Sequence, residues 1–329
     1  MFASHLDKKI TTSDVSLVPS RNGYGEGLQA AGEKDERVVA LCADLTESTR
    51  THLFKEAFPE RFIQVGIAEQ NMASVASGMA AMGKIPFIAS YAMFSPGRNW
   101  EQIRTTIAYN NANVKIIGAH AGISVGPDGA THQALEDIAL MRVVPNMVVL
   151  APADSIEAKK ATLAAAAYQG PVYIRIGRAK TAVVTSDASP FAIGKGQWFI
   201  QKENETASKG SVGIVVTGTL VHTALMAAKK LIQADYSVSV VHMPTIKPLD
   251  TDILYELAGQ HESILTLEEH QQSGGLGSAV AEYYSGTKPM RVLQIGVADQ
   301  FGQSGTPDEL LNHYGLDVDA VVARVQSIT

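Results

Sequence analysis

The chain has 329 residues, 46% of them hydrophobic, a formal net charge of -6 and one cysteine, Cys42. This length suits two domains with sizeable cores, and the mild, dispersed acidity speaks against a nucleic-acid backbone as partner, which calls for a basic face. The lone cysteine excludes an internal disulfide framework and fits a reducing cytoplasm. The start "MFASHLDKKITTSD" lacks the basic-then-apolar order of a signal peptide, and no apolar run reaches the length of a membrane span.

In chain order, short apolar runs rich in β-branched residues alternate with helical patterns. The runs are "RVVALCA" (37–43), "RFIQV" (61–65), "PFIAS" (86–90), "VKIIGAH" (114–120), "MVVLAP" (147–152) and "PVYIRI" (171–176). Continuous apolarity of this kind marks strands covered on both faces. Between them, "AEQNMASVASGMAAMG" reads as a helix capped by Gly83. "SPGRNWEQIRTTIAYNN" reads as one opened by a Ser-Pro pair, and "DSIEAKKATLAAAAY" as one capped by Asp154. The alternation predicts an α/β, doubly wound, mostly parallel sheet over 1–178. Residues 179–211, rich in Ser, Thr, Lys and Gly, read as a link, with "GQWFIQKE" a possible strand inside it. A second, smaller α/β domain follows over 212–329, with strands "VGIVVTG", "SVSVVHM", "SILTLEE" and "MRVLQIG" and helices starting near Val221, Asp250, Leu276 and Pro307.

In open α/β sheets ligands collect beyond the carboxyl ends of the strands. Those positions are polar here. Asp44 follows the first strand, Glu69 the second, Tyr91 and Phe94 the third, and His120 the fourth. A Gly-rich loop then carries Asp128 and His132, and the sixth strand ends in Arg175 and Arg178. Singly, each has an ordinary structural reading: a cap, a core ring, a surface pair. Together they put an acid, an aromatic wall, two histidines and guanidinium groups on one rim, as a site for a polar ligand requires. The chain has no Walker-type phosphate loop or His-Glu-x-x-His metal helix, and no Gly-x-Ser-x-Gly elbow. No residue is assigned to a metal.

"GIAEQNM" (66–72), "VGPDGATHQALEDIALMRVVPNM" and "PVYIRIGR" resemble the pyrimidine-binding domain of transketolases. "VHMPTIKPLD", "EEHQQSGGLGSAVAE" and "GVADQFGQSGTPDELL" resemble the transketolase C-terminal domain, so the likeness runs from about Arg21 to the end. The family's diphosphate-binding domain carries Gly-Asp-Gly and, some way on, Asn-Asn. This sequence has no Gly-Asp-Gly, and its Asn110–Asn111 has none ahead of it.

The resemblance therefore implies the C-terminal subunit of a split transketolase. Such a subunit would use thiamine diphosphate and Mg2+, with the metal and diphosphate ligands on a separate N-terminal diphosphate-binding subunit. A heterotetramer of two plus two chains and sugar phosphate substrates are expected with it, and neither nucleic acid nor membrane.

Residue by residue, the resemblance gives Glu69 the acid that hydrogen-bonds a pyrimidine ring nitrogen and His132 the histidine beside the reacting carbon. It makes Tyr91 and Phe94 the rings that pack on the pyrimidine, and Asp44 an acid near the cofactor. Arg21, His120 and Arg178 become phosphate ligands, and Asp128 a contact to substrate hydroxyls. An acid in the role of Glu69 needs apolar surroundings that disfavour its charged form, and Ile67, Ala68 and Met72 are the expected neighbours. Three other readings share parts of this pattern. Deoxyxylulose-phosphate synthases carry a similar "AEQ" and "DG-THQ" but usually lack the histidine found here as His120. The beta subunit of a 2-oxoacid dehydrogenase would not need His120, Asp128 and Arg178. A non-catalytic regulatory subunit would not need Glu69 and His132.

Overall fold

A computed structural model of the chain describes residues 2–204 and 206–327. Its strands are β1 (Leu17–Pro19), β2 (Val38–Cys42), β3 (Phe62–Gln64), β4 (Ile85–Tyr91), β5 (Lys115–Ala119), β6 (Val148–Leu150) and β7 (Val172–Ile176). They continue with β8 (Lys180–Ala182), β9 (Gln197–Glu203), β10 (Ser211–Val216), β11 (Ser237–His242), β12 (Thr245–Lys247), β13 (Ser263–Gln271) and β14 (Arg291–Val297).

Two larger sheets result. The first has the order β12-β6-β7-β5-β4-β2-β3, parallel except for β12, which runs antiparallel along β6. The second has the order β14-β13-β10-β11-β9, parallel except for the edge strand β9. The architecture is thus mixed α/β with mostly parallel sheets, as expected. β9 lies within the stretch read as a link and is its "GQWFIQKE" segment.

Helices cover both faces of the first sheet, which is why its central strands are mostly apolar. Val38 and Ala40 face a core shared with Tyr24, Leu28, Phe54 and Ala161. Their neighbours Val39 and Leu41 face one shared with Met72, Ala76, Ile103 and Ile138. On the first face the helices Ser20–Lys34 and Ser155–Ala167 lie so close that a Cβ on Gly23 would fall 1.7 Å from Ser155 O. Asp154 caps the second of these by accepting from Glu157 N at 3.0 Å.

The helix over Glu69–Ala81 ends at Met82–Gly83, where Gly83 takes φ +84°. The helix expected to open on Ser95–Pro96 begins only at Trp100 and then widens into a π turn over Ile103–Ala108. Residues 92–99 form turns instead, because Asn99 is drawn inward. Its amide donates to Glu69 O at 3.0 Å and to Ser95 Oγ at 3.2 Å. Among the described residues no helix is long and apolar enough to cross a membrane.

Candidate active site

The parallel order of β7, β5, β4, β2 and β3 brings their carboxyl ends to one rim. Gly66, at φ +72°, turns the chain after β3 so that Glu69 opens its helix pointing inward. Glu69 is 1% exposed. Its Oε2 accepts from Arg98 Nη1 at 2.6 Å, and its Oε1 has only a 3.4 Å contact from Ser90 Oγ. The expected apolar surroundings are therefore corrected. Met72 is buried as supposed, but Ile67 is 74% exposed, and a guanidinium occupies one side of the carboxylate. Arg98 also lies over the Phe94 ring, 4.7 Å from its centre. Arg98 falls in the segment "SPGRNWEQIRTTIAYNN", whose local pattern carries no sign of this role.

Tyr91 and Phe94 are parallel to within 10°, their centres 6.0 Å apart. His132 stands edge-on to both, at 6.0 Å and 5.5 Å. The Tyr91 ring also lies 4.3 Å from that of His120, and its hydroxyl bonds Ser48 Oγ at 2.9 Å. Ser48 is a second residue that the sequence reading did not single out.

His120 is completely buried, with left-handed backbone at φ +57°. Arg21 Nη1 lies 3.3 Å from its Nε2 and donates to Ser48 O at 2.9 Å. Both His120 Nδ1 and Arg21 Nε are buried without a partner. Burial, with Arg21 and Arg178 adding repulsion, pulls the imidazole from about 6.5 down to about 3. It is neutral near pH 7, and its Nε2 is free to accept from Arg21 with the proton on Nδ1.

Arg178 Nη1 pairs with Asp128 Oδ2 at 2.6 Å and reaches Val125 O at 3.4 Å. The bond holds the Asp128 carboxyl below its ordinary range and raises the guanidinium. Burial, then repulsion from Arg50 and Arg178, pushes Arg21 the other way. Like charges gathered around a neutral ring, with donors unused, form a place where an anion is stabilised. Asp44 follows β2 on the same rim. It is exposed at φ +58°, with its N–H donating to Gln64 Oε1 at 2.8 Å. A cavity of about 430 Å³ between the helices Ser20–Lys34 and Ser155–Ala167 contains none of these residues.

The depressed imidazole has a consequence for stability. The unfolded chain takes up this proton below about 6.5, but the folded chain not until about 3. Stability is complete above the unfolded value and falls as pH drops through it. The expected loss at His120 is on the order of 2 kcal/mol between pH 7.5 and 5. Urea unfolding of wild type and His120→Gln over that range checks this; equal pH slopes would mean that the folded ring is charged.

Residues 17–183 match the family model described as the transketolase pyrimidine binding domain, and residues 202–321 the one described as the transketolase C-terminal domain. The chain belongs to the transketolase family. It is 45% identical over 308 residues, 93% of this chain and 94% of the other, to a protein of Methanocaldococcus jannaschii provisionally described as a transketolase C-terminal section. It is 36% identical to a 6-deoxy-6-sulfo-D-fructose transketolase subunit of Clostridium sp. strain MSTE9, over 94% of each. Human transketolase is 34% identical over 94% of this chain but only 49% of its own length, so this transketolase chain spans about half of such relatives. Among solved structures, a split-gene transketolase described as an inactive beta4 tetramer superposes with a TM-score of 0.84 at 43% identity, covering 94% of this chain and 97% of that one.

Proposed function

We propose that this chain is the pyrimidine-binding subunit of a two-chain transketolase. With a separate diphosphate-binding subunit it would move a two-carbon glycolaldehyde unit from a ketose phosphate to an aldose phosphate. One observation carries this reading: a buried carboxylate beside parallel aromatic rings shares its rim with the cationic cluster around His120. Thiamine diphosphate, when bound, supplies a carbon nucleophile at its thiazolium ring.

The residues present fit its pyrimidine half. Glu69 Oε1, held only by a long contact, has capacity to share a proton with a ring nitrogen, and Tyr91 and Phe94 offer flat faces to stack on. Asn99, fixed to Glu69 O, retains a buried Oδ1 without a partner. Arg98 shares Glu69 and the face of Phe94, and is exposed enough to move as a ring enters. His132, edge-on to both rings, would hold or move a proton at the substrate's reacting end. Arg178 and Arg21 would bind phosphate, with His120 donating from Nδ1. The free oxygen of Asp128 would accept from a sugar hydroxyl.

A partner is supported by the surface just outside Glu69. The outward side of its helix presents Gln70, Asn71, Ser74, Val75 and Gly78 without a charge, between Ile67 and Met82, themselves 74% and 84% exposed. An uncharged helix face with exposed Ile67, Val75 and Met82 has the charge-depleted make-up of an interface. A diphosphate-binding subunit there would bring the magnesium and diphosphate ligands to the pyrimidine pocket. Two copies of each chain would make two sites, in keeping with the commonness of two-fold assemblies.

The reading is tested by mixing. This chain alone should bind thiamine diphosphate with magnesium weakly in a calorimetric titration and transfer nothing. Addition of the diphosphate-binding chain should restore tight binding and transfer from ketose to aldose phosphate. Tight binding and turnover by this chain alone would overturn the two-chain proposal.

A further inference from the structure

We infer that Glu269, a buried acid of the second sheet, is a positioning residue that holds Asp128 and Arg178 in register with each other. The inference rests on the reading of Arg178 as a phosphate ligand. Glu269 lies on β13 and is 3% exposed. Its two carboxylate oxygens take up different segments of the rim. Oε1 accepts from Ser124 N at 2.5 Å, inside the turn Ile123–Asp128 that ends at Asp128. Oε2 accepts from Thr219 Oγ1 at 2.7 Å. The methyl of Thr219 packs under Gly177, where a Cβ would sit 3.2 Å from it, one residue before Arg178. The backbone oxygen of Glu269 accepts from Arg175 Nη2 at 2.7 Å, in the strand that leads to Arg178.

One residue thus touches both chain segments whose ends form the Arg178–Asp128 pair. The fit is close: Gly122, at φ +92°, would place a Cβ 2.4 Å from Glu269 Oε1. The turn is also tied by Gln133, whose amide donates to Ile123 O, Gly126 O and Gln303 O at 3.0–3.3 Å. Loss of Glu269 should therefore shift the turn without releasing it. The shift matters because Arg178 Nη1 contacts Val125 O as well as Asp128. Truncation also leaves Ser124 N–H buried without an acceptor, which favours another backbone path. Glu269→Gln keeps an oxygen for Ser124, and the Thr219 hydroxyl can turn to accept from the new amide.

Two measurements test this on Glu269→Ala and Glu269→Gln. Hydrogen–deuterium exchange of the full chain should quicken over 122–129 in the Ala variant and stay near wild type in the Gln variant. In the complex with the diphosphate-binding subunit, KM for a ketose phosphate should rise about 10- to 100-fold in Glu269→Ala, the scale of a misplacement near 1 Å. Its kcat should change little, its KM for an unphosphorylated analogue should rise by less because only the Asp128 contact is then disturbed, and Glu269→Gln should restore the phosphate KM. Unchanged exchange in Glu269→Ala overturns the inference, and so does faster exchange with an unmoved phosphate KM. If the wild-type complex transfers nothing, the transketolase reading has failed, and the exchange comparison by itself decides whether Glu269 holds the turn.

Discussion

Glu69→Gln is expected to leave the protein folded and to lower turnover of the assembled enzyme by about 10²–10⁴-fold, the usual cost of removing a general acid–base group. The side chain is 1% exposed, so no water stands ready to replace it. An amide of the same shape fills the space but cannot share a proton with a ring nitrogen. Folding should tolerate the change, because the partner left behind, Arg98, has a side chain 46% exposed and can be solvated. Backbone contacts such as Asn99 to Glu69 O do not depend on the side chain. Circular dichroism and urea midpoints establish folding; steady-state transfer in the reconstituted complex measures the loss. Turnover near the wild-type level would remove Glu69 from proton handling altogether.

The second large effect concerns substrate charge. Arg178→Ala should raise KM for a sugar phosphate by about 10- to 100-fold, since a charge-assisted hydrogen bond contributes roughly 1.5–3 kcal/mol. KM for the unphosphorylated analogue should hardly move. Asp128, left without its 2.6 Å partner, is 29% exposed and can take water instead, so stability should change little. Equal losses on both substrates would take Arg178 out of a phosphate site. They would also revive the reading as a beta subunit of a 2-oxoacid dehydrogenase.

The strands were legible because a strand buried on both faces is apolar almost throughout, as Val38–Cys42 is; in Val172–Ile176 the exception is Arg175, whose buried guanidinium pairs with Asp137 at 2.9 Å. Caps such as Asp154 act within four residues and can be read locally. Strand direction put Glu69, Tyr91, Phe94, His120 and Arg178 at one rim, and the Gly-rich loop after β5 carries Asp128 and His132 to it. Partners that meet across long stretches of chain were not legible. Arg98 and Glu69 are 29 residues apart, and Glu269 and Ser124 are 145 apart. Ser-Pro at 95–96 looked like a helix start because capping rules are local, whereas the pull of Glu69 O on Asn99 is not. Ile67 was expected beside Glu69 from adjacency in sequence, but the turn at Gly66 sends it outward.

The short strand β12 has a bearing on how the polypeptide is made and cut. It belongs by chain position to the later half, yet it forms the edge of the first sheet, with Thr245 opposite Leu150 and Lys247 opposite Val149. Ala151 N also donates to Pro244 O at 2.8 Å. A nascent chain on the ribosome thus cannot complete its first sheet until the segment through Lys247 has emerged. A fragment stopping at 211 would carry β6 as an open, apolar edge, an invitation to aggregation. A protease nick between 186 and 196 should leave two pieces that stay clasped through β12, and the halves should rescue each other only when expressed together.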